Sequence, residues 1–261
     1  MRDAWLDLLL GSSCAVCGLP GRILCELCAQ AMPRSARVAW PAPCPAGLAL
    51  PMAAGEYDGA LKVLINAHKE RSQFALAKPL GEALAHAVHA VLRDGADRAE
   101  CGSGTVGSIV FLVPVPSRAP VVRARGHDPL LRISRCATGL LRRWGDPAVL
   151  ARLLRSRGTA LDQSGLSAEQ RVENLAGALH CPARSVARSR SHWPDARFVV
   201  VDDVLTTGAT AREAQRALAA HDLPVSGIAT IAATVRRVPV PDEREGVRES
   251  QGSLPFSDQD D

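Results

Sequence analysis

The stretch Arg197–Arg212, RFVVVDDVLTTGATAR, constrains this chain more than any other. Phe198, Val199, Val200 and Val201 are β-formers in an unbroken apolar run, the pattern of a strand buried on both faces of a parallel sheet. The run meets two carboxylates, Asp202 and Asp203. A turn of hydroxyls and glycine follows: Thr206, Thr207, Gly208, Ala209 and Thr210. AREAQRALAAH then reads as a helix, with Ala214, Ala217 and Leu218 on one stripe. Strand, acidic pair, loop and helix in this order predict an α/β fold.

Each part suits one kind of ligand. A helix N-terminus presents unpaired N–H groups and a positive dipole end, which suit a phosphate. Gly208 allows close backbone approach, and the threonines add hydroxyl donors. Two carboxylates at the end of a strand can accept from a vicinal diol or hold Mg²⁺ through water. Diol and phosphate together describe a ribose 5-phosphate. A plain buried strand with a capped helix is the structural alternative, but it has no need of two adjacent acids after an apolar run. A Walker B strand is the other, and it requires G-x-x-x-x-G-K-[ST], which none of the 261 residues supplies.

VVVDDVLTTGAT resembles the signature of type I phosphoribosyltransferases that binds phosphoribosyl pyrophosphate (PRPP). The resemblance implies a mostly parallel sheet flanked by helices. It implies that Asp202 and Asp203 contact the ribose hydroxyls and that Thr206, Thr207, Gly208, Ala209 and Thr210 grip the 5-phosphate, with Mg²⁺ accompanying PRPP.

Residues 12–30 hold Cys14-x-x-Cys17 and Cys25-x-x-Cys28. Two such pairs present four thiolates to one tetrahedral zinc, and with no open position that zinc is structural. Buried structural thiols and a redox dithiol are the alternatives. A cysteine-rich ribbon ahead of a phosphoribosyltransferase-like region is similar to the ComF/GntX family, which is linked to competence and DNA uptake. That family carries further C-x-x-C pairs, whereas WPAPCPAG here has Cys44 alone, so one zinc is expected. The prolines at 33, 41, 43, 45 and 51 read as an extended linker. The expected division is 1–50 for an N-terminal helix, zinc-ribbon head and linker, 51–237 for the phosphoribosyltransferase-like region, and 238–261 for a disordered acidic tail.

Leu61, Leu64, Ile65 and His68 fall at helical spacing, and the family's Y-x-G…L-K segment suggests that Lys69 and Arg71 face the site; exposed helix-end charges are the alternative. A helix is expected from Ser72 to about Arg93. SIVFLVPV, residues 108–115, reads as a second buried strand. The loop after it, with Ser117, Arg118, Arg123 and Arg125, corresponds to the family's pyrophosphate loop, and arginines suit a leaving pyrophosphate. The family's R-x-R-G-F-N appears as Arg123-Ala124-Arg125-Gly126-His127-Asp128. Asp128 with Pro129 suits a helix start. AVLARL, residues 148–153, reads as a strand. Arg157, Asp162, Gln163, Leu166, Arg171 and Asn174 match a further family block, a mobile loop closing over the reacting centre, and Ser167 with Gln170 can form a capping box. By that match Lys69, Arg157, Gln163 and Arg171 are candidates to meet the acceptor. Gly102, Gly104 and Gly107 spell a dinucleotide fingerprint, but they precede a strand instead of following one. Val225–Val235 reads as the last strand.

The formal net charge is +4. The segment from Val238 holds seven acids and two arginines, so the remainder carries about +9, which suits an anionic ligand. No apolar run approaches the roughly 18 residues of a membrane span, and the Asp-interrupted N-terminus reads as a short amphipathic helix rather than a signal, so the cytoplasm is the expected compartment. The expected activity is phosphoribosyl transfer from Mg-PRPP to an acceptor that nothing in the sequence identifies. The alternative is a PRPP-sensing adaptor whose head docks a DNA-uptake partner. The chain lacks the basic stripe and interleaved aromatics of a single-strand binder, so protein docking ranks ahead of direct nucleic-acid contact.

Overall fold

The computed structural model describes residues 12–98, 108–117, 119–157, 177–183, 186, 193 and 195–234. The N-terminal helix, the glycine-rich 102–107 segment, Arg118, the Asp162–Asn174 block with Gln163 and Arg171, and the acidic tail all carry sequence expectations that lie outside these residues.

Four strands build the centre of the sheet: β3 (Val110–Pro114), β7 (Arg197–Leu205) and β8 (Val225–Ala233), rich in apolar β-formers, and β2 (Pro51–Glu56), whose PMAAGE has none. With β1 (Arg37–Val38) and β4 (Ala148–Leu150) the order is β1-β2-β8-β7-β3-β4. Every pairing is parallel except that of β1 with β2. A separate antiparallel pair joins β5 (Arg155–Ser156) to β6 (Leu179–His180).

Period-2 alternation divides the core between two faces. Leu112, Val199 and Val201 face one cluster with Leu64, Leu80, Leu84, Ile133 and Leu141. These last belong to α2 (Gly59–Glu70), α3 (Ala77–Arg98) and α5 (Pro129–Arg143). Phe111, Val113, Phe198 and Val200 face the other cluster, with Ala214 and Leu218 of α6 (Ala209–Ala219). Both faces are covered, so the strands read as continuous apolar runs rather than alternating ones. The architecture is α/β, as expected.

Several boundaries differ from the sequence expectation. Ser72 sits at φ 54°, a turn after α2, so the next helix starts with a 3₁₀ turn at Phe74–Leu76 and runs as Ala77–Arg98. Pro79 is tolerated there because the first helical turn has no use for its N–H. The segment after β3 was expected as an open loop through Arg125, but Ala119–Arg125 forms a short helix, α4. The expected strand at 148–153 ends at Leu150, and Leu153 and Leu154 turn into the α6-side core. Asp128 caps α5 as predicted, its Oδ1 accepting from the Leu131 N–H at 3.1 Å.

The strand order also locates a crevice. From β3 the chain moves outward through α4 and α5 to β4. From β7 it moves the opposite way through α6 to β8. The reversal lies between the adjacent strands β3 and β7. Open α/β sheets bind ligands outside the carboxyl ends of the strands at such a switch point.

Candidate functional site

The two carboxylates lie at that end of β7. The strand does not stop at them: Asp202 pairs with Thr230 and the ladder continues to Leu205. Successive residues of a strand face opposite sides. Asp203 therefore shares the side of Val199 and Val201, where α2 lies, and Asp202 shares the side of α6. Lys69, in the last turn of α2, meets Asp203 at 2.5 Å, with the two side chains only 25% and 13% exposed. Lys69 thus lies beside the carboxylate pair, whereas Arg71 is exposed at the end of α2. Burial, then the neighbouring Asp203 charge, raise Asp202 to about 7 against the pull of the Asp203 N–H and Lys69. That N–H donates to Asp202 Oδ1 at 2.9 Å.

The turn after β7 delivers the N-terminus of α6. Gly208 is left-handed at φ 73° and occupies the capping position with no side chain to cap it. Thr207 Oγ1 accepts from the Ala209 N–H at 3.4 Å. Thr206 is exposed, Thr207 and Thr210 are half-buried, and Ala209 is buried. The hydroxyls of 206–210 and the N-terminus of α6 thus follow directly on Asp202 and Asp203, and a helix N-terminus suits an oxyanion.

Across the crevice, a recess of about 330 Å³ opens at the ends of β3 and β4. Ser117, Arg123 and Asp128 line it from the β3 side. Arg152, Arg155 and Ser156 line it from the β4 side, and these three were missed from sequence. Their signal was the R-x-x-R-S-R spacing of residues 152–157, overlooked because those residues were read as the end of a strand and the start of a loop. Arg155 is held by donating to the carbonyls of Arg152 and Leu154, each at 3.0 Å. Arg123 and Arg125 part company: Arg123 faces the recess, while Arg125 pairs with Glu70 of α2. Arg157 is exposed, and its N–H extends the β5–β6 pairing by donating to Ala178 O at 2.9 Å.

His127, where the family pattern has Phe, packs edge-on against Phe74 with ring centroids 4.7 Å apart. His68 is buried beside it, with ring nitrogens 3.1 Å from Gln73 O and 3.3 Å from Pro129 O. Burial lowers the His68 pKa. A neutral ring has one N–H to donate, so it serves one of those two carbonyls. Behind the recess, buried Glu213 of α6 accepts from the Leu179 N–H at 3.1 Å and pairs with Arg216 at 2.6 Å. Arg216 in turn donates to Leu179 O at 3.1 Å. Together they hold both backbone groups of Leu179 and fix β6 to the helix that carries the hydroxyl loop.

The second site is in the head. Cys14, Cys17, Cys25 and Cys28 bring their sulfurs within 4.8 Å of one another, with Cys17 and Cys25 at 3.6 Å. A tetrahedron of Zn–S bonds of about 2.3 Å has edges of about 3.8 Å, so the donor set fits a structural zinc. Burial raises the Cys14 thiol, but the N–H groups of Cys17, Cys25 and Val16 outweigh it and bring it down to about 6. The neighbouring Cys25 sulfur, then burial, push Cys28 up to about 12. The sulfurs thus resist ionising together, a conflict that a divalent cation resolves. The short helix α1 (Glu26–Gln30) starts from Cys25. Ala15, Val16, Ile23 and Leu24 pack against the α2–α3 side of the core. Cys44 is exposed and stands apart from the cluster.

Among the described residues no helix is long and apolar enough to cross a membrane. No protein-family model matches the chain. A search of curated proteins finds similarity to Competence protein F of Haemophilus influenzae, 29% identical over 178 residues, which are 67% of this chain and 70% of that protein. The four-cysteine head ahead of an α/β sheet agrees with the ComF-like resemblance, and the chain is similar to that competence protein over two thirds of its length.

Proposed function

We propose that the crevice binds Mg-PRPP and that the chain transfers its phosphoribosyl group to a nucleophilic acceptor. One observation carries the reading: a carboxylate pair and an open helix N-terminus, five residues apart, stand at the switch point opposite a recess lined by arginines. Asp202 and Asp203 accept from the ribose 2′ and 3′ hydroxyls. Thr206, Thr207, Gly208, Ala209 and Thr210 hold the 5-phosphate. Lys69 offsets the charge of Asp203. Ser117, Arg118 and Arg123 serve the pyrophosphate end, with Arg152 and Arg155 added by their place in the recess, while Arg125, expected there from sequence, is held by Glu70 on the α2 side. The C1–O bond breaks with its electron pair leaving on pyrophosphate, and the acceptor's lone pair forms the new bond to C1. Arginine N–H groups stabilise the charge that develops on the leaving oxygens. Asp202 and Asp203 would offer oxygen donors to Mg²⁺, which would supply charge neutralisation at the pyrophosphate. Arg157, Gln163 and Arg171 are assigned to the acceptor side. Cys14, Cys17, Cys25 and Cys28 hold a structural zinc. The chain divides into a 1–50 head and linker, a 51–237 transferase-like region and a 238–261 tail, and it works in the cytoplasm.

Calorimetric titration of PRPP with Mg²⁺ tests the site. Micromolar binding that disappears in Asp202→Asn with Asp203→Asn supports it. No heat from a folded, zinc-loaded sample sinks it.

A second reading has support in the head. A groove of about 590 Å³ lies beside exposed Leu19 and Leu27. In this reading the chain senses PRPP without turnover and the groove docks a partner, for which the name of the similar protein suggests a DNA-uptake component. PRPP binding without pyrophosphate release in the presence of candidate acceptors favours it. Strong, salt-sensitive retention of single-stranded DNA at physiological salt contradicts its ranking of protein over nucleic acid.

A further inference from the structure

We infer that Arg212 and Gln215 are positioning residues for the 206–210 loop, acting through the segment 41–50 that connects the cysteine head to the sheet. This rests on the proposed reading only for the identity of the ligand.

The sequence expectation for that segment was an extended linker. It is not free. A Cβ placed on Gly208 meets Pro41 Cγ at 3.0 Å, Leu48 Cδ2 at 3.1 Å and Pro45 Cδ at 3.4 Å. The prolines and Leu48 thus form a wall directly behind the left-handed turn that opens α6. Gly208 is required there by the wall as well as by its φ of 73°. This changes the role assigned to Gly208 from sequence. Its bare side faces the segment, and the approach to an anion is left to the N–H groups.

Sheet pairing flanks the wall without reaching it: the Ala39 N–H donates to Pro51 O at 2.9 Å and the Ile228 N–H to Leu50 O at 2.8 Å. Prolines have no N–H to pair. Leu48 is buried in the α6-side core, and two side chains of α6 add hydrogen bonds to the stretch around it. Arg212 Nε donates to Ala46 O at 2.9 Å. Gln215 Nε2 donates to Gly47 O at 2.9 Å, and Gln215 Oε1 accepts from the Ala49 N–H at 2.9 Å. Gly208, Arg212 and Gln215 are spaced i, i+4 and i+7, which is one face of a helix. One face of α6 therefore carries the turn, the wall behind it and the clips that hold the wall. Releasing the clips lets the wall move away and the turn relax, so the first-turn N–H groups lose their aim.

The test uses the full chain with Gln215→Leu and Arg212→Met, singly and together, and reads backbone hydrogen exchange without ligand. The expected result is about tenfold faster exchange in residues 46–50 and, with it, in residues 206–210, the scale set by losing one or two hydrogen bonds. Gln215→Glu keeps the acceptor for Ala49 and should restore part of the protection. Titration with Mg-PRPP should show affinity falling about tenfold in the double variant. By reciprocity PRPP should protect the Ala49 amide in the parent and not in Gln215→Leu. If 46–50 is released while 206–210 exchanges as in the parent, the inference is overturned. A fall in thermal stability alone, with parental exchange in both segments, also overturns it. If the parent binds no PRPP the proposed function fails, and the exchange comparison still decides the positioning role.

Discussion

The head and the crevice are built on opposite plans. All four sulfurs of the head come from one stretch of 15 residues, and two tight turns suffice to gather them. The crevice is assembled from afar: Lys69 reaches Asp203 from α2, Pro41 and Leu48 back Gly208, and Arg123 faces Arg152 and Arg155. A local site can form whenever its own segment does. A non-local site exists only while the sheet holds its strands in register. The two should therefore fail under different insults.

Removing the zinc proposed for the head is the largest expected effect. Structural zinc sites hold about 10–16 kcal/mol of apparent binding energy in isolated fingers, and four crowded thiols lose their reason to stay together without it. Chelation, or Cys25→Ser, should unfold residues 12–30 and expose the apolar surface under Val16 and Leu24. The β7–β8 pairing should persist. Hydrogen exchange with and without chelator checks this, and a uniform loss of protection across β7 and β8 would break the contrast.

Glu213 is the converse case. It is 5% exposed and holds Leu179 from α6. Glu213→Ala leaves the Leu179 N–H without its acceptor and Arg216 without its buried partner. Arg216 is 46% exposed and can rehydrate, so the cost is mainly the unsatisfied Leu179 N–H, about 1–3 kcal/mol. Denaturant unfolding should show a loss of that size, with the metal content of the head unchanged. A loss below about 1 kcal/mol would mean that β6 is held by other contacts.

These differences also explain what could be read in the chain. The apolar runs at β3, β7 and β8 and the Cys-x-x-Cys pairs carry their meaning in consecutive residues, so the sheet and the head were legible. Lys69 was suggested by resemblance, but only α2 packing onto the face of Val201 brings it to Asp203. Arg152 and Arg155 belong to the recess because β4 stops at Leu150, a boundary concealed by the five apolar residues among 148–153. Arg125 looked equivalent to Arg123, and nothing local distinguishes them. Helix α4 turns one toward the recess and the other toward Glu70. The 41–50 segment reads as a linker because prolines exclude a ladder, and its role is visible only from the α6 side chains that receive it.

The carboxylate pair gives the crevice a pH dependence. Asp202 is raised, first by burial and then by Asp203, from an ordinary 3.8 to about 7. The folded chain keeps this proton longer than the unfolded one. The associated stability is fully present below about pH 4 and is lost as the pH rises through about 7, a few kcal/mol at most. Asp202→Asn removes that loss. Its melting temperature should pull ahead of the parent between pH 4 and 7, then hold a constant lead. Parallel curves would show that Asp202 titrates normally. Lys69→Met should strengthen the parent's slope, because Lys69 is among the groups that lower Asp202.

The smallest effect separates the two ion pairs of the sheet edge and the crevice. Arg37 meets Glu56 at 2.7 Å, but their side chains are 56% and 40% exposed. Water and salt screen such a pair, and its contribution is about 0–1 kcal/mol. Arg37→Met should change unfolding free energy by less than about 1 kcal/mol, and the change should vanish at high salt. Lys69→Met leaves Asp203 half-buried beside Asp202 with no cation, so its loss should exceed that of Arg37→Met and survive high salt. Paired denaturant titrations at low and high salt read both. Equal, salt-sensitive losses would mean that the crevice is as wet as the edge strand, and that the carboxylates of β7 are solvated without Lys69. A larger, salt-resistant loss at Lys69 would show that the crevice holds its charges against one another, as a site that awaits a polar ligand must.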